Sequence, residues 1–264
     1  MNISSLKVKP GSTFRLSKCD PRDTHGISKE HAAKALPHHV KKLARLHDLL
    51  YAEHKSSLLI VLQGMDASGK DGTIKHVMTG VNPQGCSVTS FRQPSTVELD
   101  HDFLWRVHAA VPPKGAIGIF NRSHYEDVLV ARVHNLVDPA VWKQRYNQIN
   151  DFEKMLTRNN VHILKFFLHI SSKEQHERFD ERLSNPRKNW KSSPSDFKER
   201  ESWDQYQAAY EAAIKKCSTP YAPWYVVPSD HKWFRNFAIA EAIVQTLESF
   251  RMKFPRKAGG NNKQ

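Results

Sequence analysis

At Ser57 the polarity pattern of the chain changes. Leu58-Leu59-Ile60-Val61-Leu62 is an unbroken apolar run, as expected of a strand buried on both faces of a parallel sheet, where no position alternates with solvent. Similar runs follow at Ser87 to Phe91, Ala116 to Phe120, Val161 to Ile170 and Trp224 to Val227, each separated from the next by enough chain for a crossover helix. The separators carry helical signals. Ile74, Val77, Met78 and Val81 fall at i, i+3, i+4 and i+7; Ser95 with Glu98 and Ser171 with Glu174 are capping-box pairs; Asp138-Pro139 reads as an N-cap followed by proline at the first helical position. Alternating β and α elements predict an α/β fold with a doubly wound parallel five-stranded sheet flanked by helices.

Upstream, Pro10-Gly11, Asp20-Pro21 and His25-Gly26 punctuate a turn-rich opening, after which Val40, Leu43, Ala44, Leu46 and Leu50 recur near helical spacing. Residues 1–55 are expected to form an N-terminal helical extension and 56–250 the core. Residues 251–264, ending RKAGGNNKQ, are expected to be disordered.

Charge narrows the choice of partners. With 40 Lys and Arg against 27 Asp and Glu, the 264-residue chain has a formal charge of +13, which favours polyanions without saying which one. Cys19, Cys86 and Cys217 are far apart and form no CxxC pair, so neither a disulfide framework nor a structural zinc site is indicated. The N-terminus has no apolar signal core, and no segment approaches the ~18 apolar residues of a membrane span. The expectation is a cytoplasmic protein that does not engage membranes.

Directly after the first strand comes Gly64-Met65-Asp66-Ala67-Ser68-Gly69-Lys70-Asp71-Gly72. This is GxxxxGK between a strand and a helix, a phosphate-binding loop. Gly64 and Gly69 allow backbone amides to turn inward, the helix start adds partial positive charge, and Lys70 supplies an ammonium. Ala67, Ser68 and Gly72 complete the cradle. Two departures are informative. The usual hydroxyl after the lysine is replaced by Asp71, and a further carboxylate, Asp66, lies inside the loop. A carboxylate there repels phosphate unless a cation sits between them, so Asp66, more than Asp71, is expected to help hold Mg²⁺.

The third strand ends in Phe120-Asn121-Arg122-Ser123-His124-Tyr125-Glu126-Asp127. Ligands bind beyond the carboxyl ends of strands in open α/β sheets, which places this cluster beside the loop. Arg122 is expected to grip phosphate, and Glu126 or Asp127 to complete the metal shell, with Asn121 reaching the metal through water. Arg92 occupies the equivalent rim position after the second strand. Arg178 and Arg182, one helical turn apart, open a basic, proline-broken stretch that continues through Arg187, Lys188, Trp190, Lys191, Lys198 and Arg200. It suits a lid over about residues 178–206, although Glu174, Glu177 and Glu181 could instead pair with those arginines on a solvated helix.

Taken together, GMDASGKDG, FRQPSTVELDHDFLWR, FNRSHYEDVL, RLSNPRKNWK and APWYVVPSDHKWFR resemble the polyphosphate kinase 2 family from about Ser5 to Phe250, and most of all its subgroup accepting both nucleoside mono- and diphosphates. The resemblance implies a P-loop kinase fold of the thymidylate-kinase type with a helical lid. It also implies reversible transfer of the terminal phosphoryl group of inorganic polyphosphate to AMP or ADP with Mg²⁺ (or Mn²⁺), guanine nucleotides as further acceptors, and a homodimer or homotetramer. Position by position, it carries over Asp66 and Lys70 to the Walker loop, Arg122 to the second Walker element, and Arg178 and Arg182 to the lid. Lys70, Arg122 and the lid arginines would hold the donor, Mg²⁺ on Asp66 would neutralise the transferring group, and a phosphate acceptor, already ionised, needs no strong base. The alternatives are an ATP-dependent nucleotide kinase and a nucleic-acid-binding NTPase. Against the latter, Trp and Tyr are not interleaved with basic residues as a stacking platform.

Overall fold

The computed structural model describes residues 3–187, 189–191 and 194–255. Lys188 and the tail from residue 256 lie outside the described residues. Five strands, β1 (Ser57–Gln63), β2 (Cys86–Ser90), β3 (Ile117–Asn121), β4 (Val161–His169) and β5 (Trp224–Pro228), form one parallel sheet in the order β2-β3-β1-β4-β5. The helices are α1 (Lys29–Glu53), α2 (Lys70–Val77), α3 (Thr96–Leu99), α4 (Trp105–Ala109), α5 (Val130–Val133), α6 (Pro139–Arg158), α7 (Ser172–Ser184), α8 (Pro194–Glu201), α9 (Trp203–Cys217) and α10 (Lys232–Ser249).

Burial on both sheet faces explains the unbroken apolar runs. Leu59 and Val61 of β1 join a core with Phe120, Phe167, Ile149 of α6 and Ile214 of α9. Leu58, Ile60 and Leu62 point the other way, toward Leu43 and Leu50 of α1 and Phe234 and Ile243 of α10. Each of these side chains is essentially inaccessible to water. Burying one such side chain stabilises the fold by about 1.5–3 kcal/mol before entropy is counted. The segment ahead of α1 runs along β5, where Val8 N–H donates to Trp224 O at 2.9 Å.

Three local expectations are corrected. The second run was expected to be buried like the first, but β2 is the sheet edge and pairs only β3, so Val88 is 50% exposed. The helix expected to reach Val81 stops at Val77, and Gly80 follows at φ +88°. At α7 only half of the capping box forms: Glu174 N–H donates to Ser171 Oγ at 3.1 Å, while the Glu174 carboxylate turns to Arg178 Nε at 2.8 Å. The box at Ser95 and Glu98 is complete, and Asp138 caps α6.

The connection leaving β1 runs to β2 on one side, and the connection from β3 passes to β4 on the other. The carboxyl end of β1 is therefore a switch point, where such sheets open a crevice.

Candidate active site

The loop after β1 is built to receive an anion. Gly69 adopts φ +104° and Ala67 φ +60°, left-handed angles that only glycine adopts without strain. Among the described residues, the amides of Ala67, Gly69 and Lys70 donate to no acceptor, and buried Ser68 Oγ has no partner. Donors left over at a helix start point to a phosphate. Lys70 is buried and its Nζ donates to Gly64 O at 2.7 Å and Met65 O at 3.2 Å. Burial lowers its pKa, opposed by the neighbouring Asp66 carboxylate.

Arg122, also left-handed at φ +62°, reaches back from the end of β3 and donates from Nη2 to Asp66 Oδ1 at 2.9 Å. Burial would raise the Asp66 pKa, but Lys70 and Arg122 together hold it below the usual carboxylate value. Asn121 Nδ2 donates to Asp71 Oδ1 at 2.8 Å, tying the end of β3 to the first turn of α2.

Two hollows meet at the Asp66–Arg122 pair. The larger, about 710 Å³, extends over Lys70, Asp71, Gly72, Arg92, Asn121 and Arg182, and is also lined by Trp190, Lys232 and Arg235. The smaller, about 350 Å³, lies on the other side of the pair, among Met65, Glu126, Val130, Tyr206, Tyr210 and Arg200. Arg200 lines it with Nη1 buried and unpartnered, and burial raises the Glu126 carboxyl pKa against the pull of Arg122.

Two sequence-derived roles change. Arg178 was expected to grip phosphate from a lid. Instead it is buried, with Nε on Glu174, Nη1 on Ala67 O (2.8 Å) and Ser68 O (3.1 Å), and Nη2 on Ser229 O (2.6 Å) and Asp230 O (3.0 Å). These acceptors account for all of its N–H donors, so although it borders the larger hollow it shapes the loop and adds charge, with no N–H left over for a ligand. Asp127 is not brought to the loop. It pairs with Arg145 at 3.2 Å and lines neither hollow.

Sequence reasoning missed Gln175, whose Nε2 donates to Asp66 O at 2.9 Å, and also Tyr206, Tyr210, Lys232 and Arg235. Arg235 donates to Ser68 O at 3.0 Å, and burial plus the nearby Arg178 charge lowers its pKa to about 9. A Cβ on Gly69 would lie 1.8 Å from Arg235 Nη1. Gly69→Ala is therefore expected to cost about 1–2 kcal/mol through the left-handed angle alone and, by displacing Arg235, to weaken phosphate binding at least about tenfold. Thermal melts and titration with tripolyphosphate check both parts.

The donor set suits a hard cation. Among the described residues no three His, Cys, Asp or Glu side chains converge on one point. A metal here would rest on one or two carboxylates together with phosphate oxygens and water, the arrangement Mg²⁺ favours. Asp66 supplies Oδ2, which accepts no bond among the described residues, and Glu126 stands in the same hollow. No described helix is long and apolar enough to cross a membrane.

Comparison with known proteins agrees with this geometry. Residues 26–255 match the model of the polyphosphate kinase 2 family. An AMP/ADP-polyphosphate phosphotransferase of Meiothermus ruber is 51% identical over 99% of this chain and 98% of its own length. An ADP-polyphosphate phosphotransferase of Rhodopseudomonas palustris is 44% identical over 100% of this chain and 96% of its own. The crystal structure of polyphosphate kinase 2 from Arthrobacter aurescens superimposes with a TM-score of 0.94 at 40% identity, covering 97% of this chain and 92% of that one. With a Walker loop at the switch point of a P-loop kinase sheet and similarity along nearly its whole length, this chain belongs to the polyphosphate kinase 2 family.

Proposed function

We propose that this protein catalyses reversible transfer of the terminal phosphoryl group of inorganic polyphosphate to AMP or ADP, with guanine nucleotides as further acceptors. The carrying observation is the pair of unlike hollows that share the Asp66–Arg122 wall. The larger is lined by Lys70, Arg92, Arg182 and Lys232, side chains that suit a polyanion and offer no aromatic slot for a base beyond Phe91 and Trp190. The smaller combines Tyr206, Tyr210 and Val130 with the unpartnered Arg200 nitrogen, which suits a nucleotide with its phosphate directed at the wall.

In this reading the donor lies in the larger hollow with its end phosphate on the loop amides and Lys70. The acceptor phosphate approaches from the smaller hollow, held by Arg200, and Arg122 contacts both. The acceptor oxygen attacks in line, and catalysis comes from alignment and charge neutralisation, because an ionised phosphate needs no base to become a nucleophile. Mg²⁺, or Mn²⁺ in its place, would be held by Asp66 and Glu126 and would supply positive charge between carboxylate and phosphate oxygens. Helices α7 and α8 act as a lid, α7 bringing Arg182 to the larger hollow and α8 bringing Arg200 to the smaller. The thiols of Cys19, Cys86 and Cys217 are free, which suits work in the cytoplasm. Exposed Val97, Leu99 and Trp105 suit assembly into homodimers or homotetramers.

The test is to incubate purified protein with Mg²⁺, polyphosphate and either AMP or ADP, without ATP. Formation of ADP or ATP supports the reading, whereas activity only with ATP as donor overturns it. Salt provides a second check. If Lys70, Arg122, Arg182 and Lys232 each neutralise about one phosphate, polyphosphate affinity should fall with a log–log slope of about −3, or roughly fifty-fold between 50 and 200 mM salt. Direct titration at several salt concentrations measures it.

A further inference from the structure

Asp230 lies in the turn between β5 and α10 and is 7% exposed. Both of its carboxylate oxygens engage one residue: Oδ1 accepts from Ser171 N–H and Oδ2 from Ser171 Oγ–H, each at 2.8 Å. Ser171 is the N-cap of α7. From the same turn the carbonyls of Ser229 and Asp230 accept Arg178 Nη2, while Arg178 Nη1 holds the carbonyls of Ala67 and Ser68 in the Walker turn. The N-terminal segment closes over the outside. Asp230 N–H donates to Pro21 O at 3.1 Å, and Arg22 Nε stands 3.5 Å from Asp230 Oδ2.

We propose that Asp230 is a positioning residue for phosphoryl transfer: its carboxylate pins the start of α7 to the β5–α10 turn, so that Arg178, which bridges the two, holds the Walker turn in its anion-receiving shape. The chain of contacts is continuous and each link is directional. Asp230 fixes Ser171, Ser171 starts α7, and Arg178 lies two turns along that helix. There its donors divide between the Asp230 turn and the phosphate loop. Without the carboxylate, Ser171 loses two acceptors and α7 can shift relative to β5. Arg178 cannot then satisfy both sets of carbonyls at once. A displacement of the loop by about 1 Å is enough to cost roughly a hundredfold in rate. Asp230 touches neither hollow, so the effect would pass through Arg178 and not through contact with a substrate.

This inference rests on the phosphotransfer reading for its kinetic arm only. Asp230→Ala, in full-length protein whose folded fraction is measured by circular dichroism, is expected to lower kcat about a hundredfold. Asp230→Asn keeps an acceptor for Ser171 N–H and can donate to Ser171 Oγ, so it should recover to within about tenfold of the parent protein. The decisive readout is a double-mutant cycle with Arg178→Lys. If Asp230 acts through Arg178, adding Asp230→Ala to Arg178→Lys should cost less than about threefold further, whereas a merely structural role makes the two losses multiply. Folded Asp230→Ala with kcat within threefold of the parent, or multiplying losses, overturns the proposal. Calorimetric titration with tripolyphosphate supplies an arm that needs no turnover: Asp230→Ala should bind at least tenfold more weakly, and equal binding overturns the proposal. A parent protein that binds tripolyphosphate but transfers nothing retires the phosphotransfer reading and leaves the binding comparison to decide the role of Asp230.

Discussion

Lys70→Ala is expected to lower kcat by about a thousandfold, or roughly 4 kcal/mol of transition-state stabilisation, the upper range for removing one fixed donor from a developing negative charge. The structure explains why so much depends on one ammonium. Its Nζ is fixed inside the turn by the carbonyls of Gly64 and Met65. Little reorganisation is therefore needed when a phosphate arrives. The site is buried, so the charge is weakly screened, and burial already lowers the Lys70 pKa, with Asp66 opposing that shift. A phosphate would relieve this tension by adding negative charge beside the ammonium. Lys70→Arg should be nearly as damaging, because the planar fork does not fit between two carbonyls placed for a compact ammonium. Steady-state kinetics with polyphosphate and ADP, on protein shown to be folded, decide the matter. A Lys70→Ala enzyme with kcat within tenfold of the parent would mean that the loop amides and Arg122 carry the charge unaided.

Lys70 was legible because a phosphate loop is local: directly after the strand, glycine turn and helix start occupy nine consecutive residues, Gly64 to Gly72. The strands were legible because burial on both faces leaves no alternation. β2 differed because its place at the sheet edge depends on topology, which its own residues do not encode. Glu126 and Asp127 show a finer limit. They are adjacent in a 3₁₀ turn spanning His124–Asp127, where successive side chains point about 120° apart. One therefore faces the hollow with Asp66 while the other turns to Arg145. Arg178 and Arg182 share a helix and both border the larger hollow, yet the donors of Arg178 are taken up by carbonyls from two distant loops. Arg235 and Lys232 follow the carboxyl end of β5, on the same rim as the Walker loop. The rule that placed Arg92 and Arg122 at the site could have placed them as well. Tyr206 and Tyr210 come from α9, the helix after α8, and only tertiary packing carries them there.

Breaking the ion pair beneath the β3 loop should produce the largest loss of stability. Glu153 of α6 and Lys165 of β4 are both essentially inaccessible to water. Lys165 Nζ donates to Glu153 Oε2 at 2.6 Å, Cys217 O at 2.7 Å and Tyr125 Oη at 2.8 Å. Glu153 Oε1 accepts from Tyr125 Oη at 2.8 Å, with His124 Nε2 at 3.3 Å. Lys165→Met would leave the Glu153 carboxylate buried and unpaired, at an expected cost of about 3–5 kcal/mol, or a fall in Tm on the order of 10 °C for a chain of this length. Exchanging both partners for apolar residues, Lys165→Met with Glu153→Leu, should recover most of that loss, since replacing a buried pair outright also removes its desolvation cost. The acid dependence gives an independent reading. Burial would raise the Glu153 pKa, but Lys165 and His124 lower it further than that. A carboxylate with a depressed native pKa contributes stability that is complete above its unfolded value, near ~4.3, and is lost as pH falls through the native one. Urea melts below about pH 4.5 should show this component in the parent protein and not in the double variant. His124 and Tyr125 belong to the same turn as Glu126, so the single variant should also loosen the wall between the two hollows and lose activity at temperatures where it is still folded. If the single variant melts with the parent, or the double variant is less stable than either single one, the network does not brace this loop.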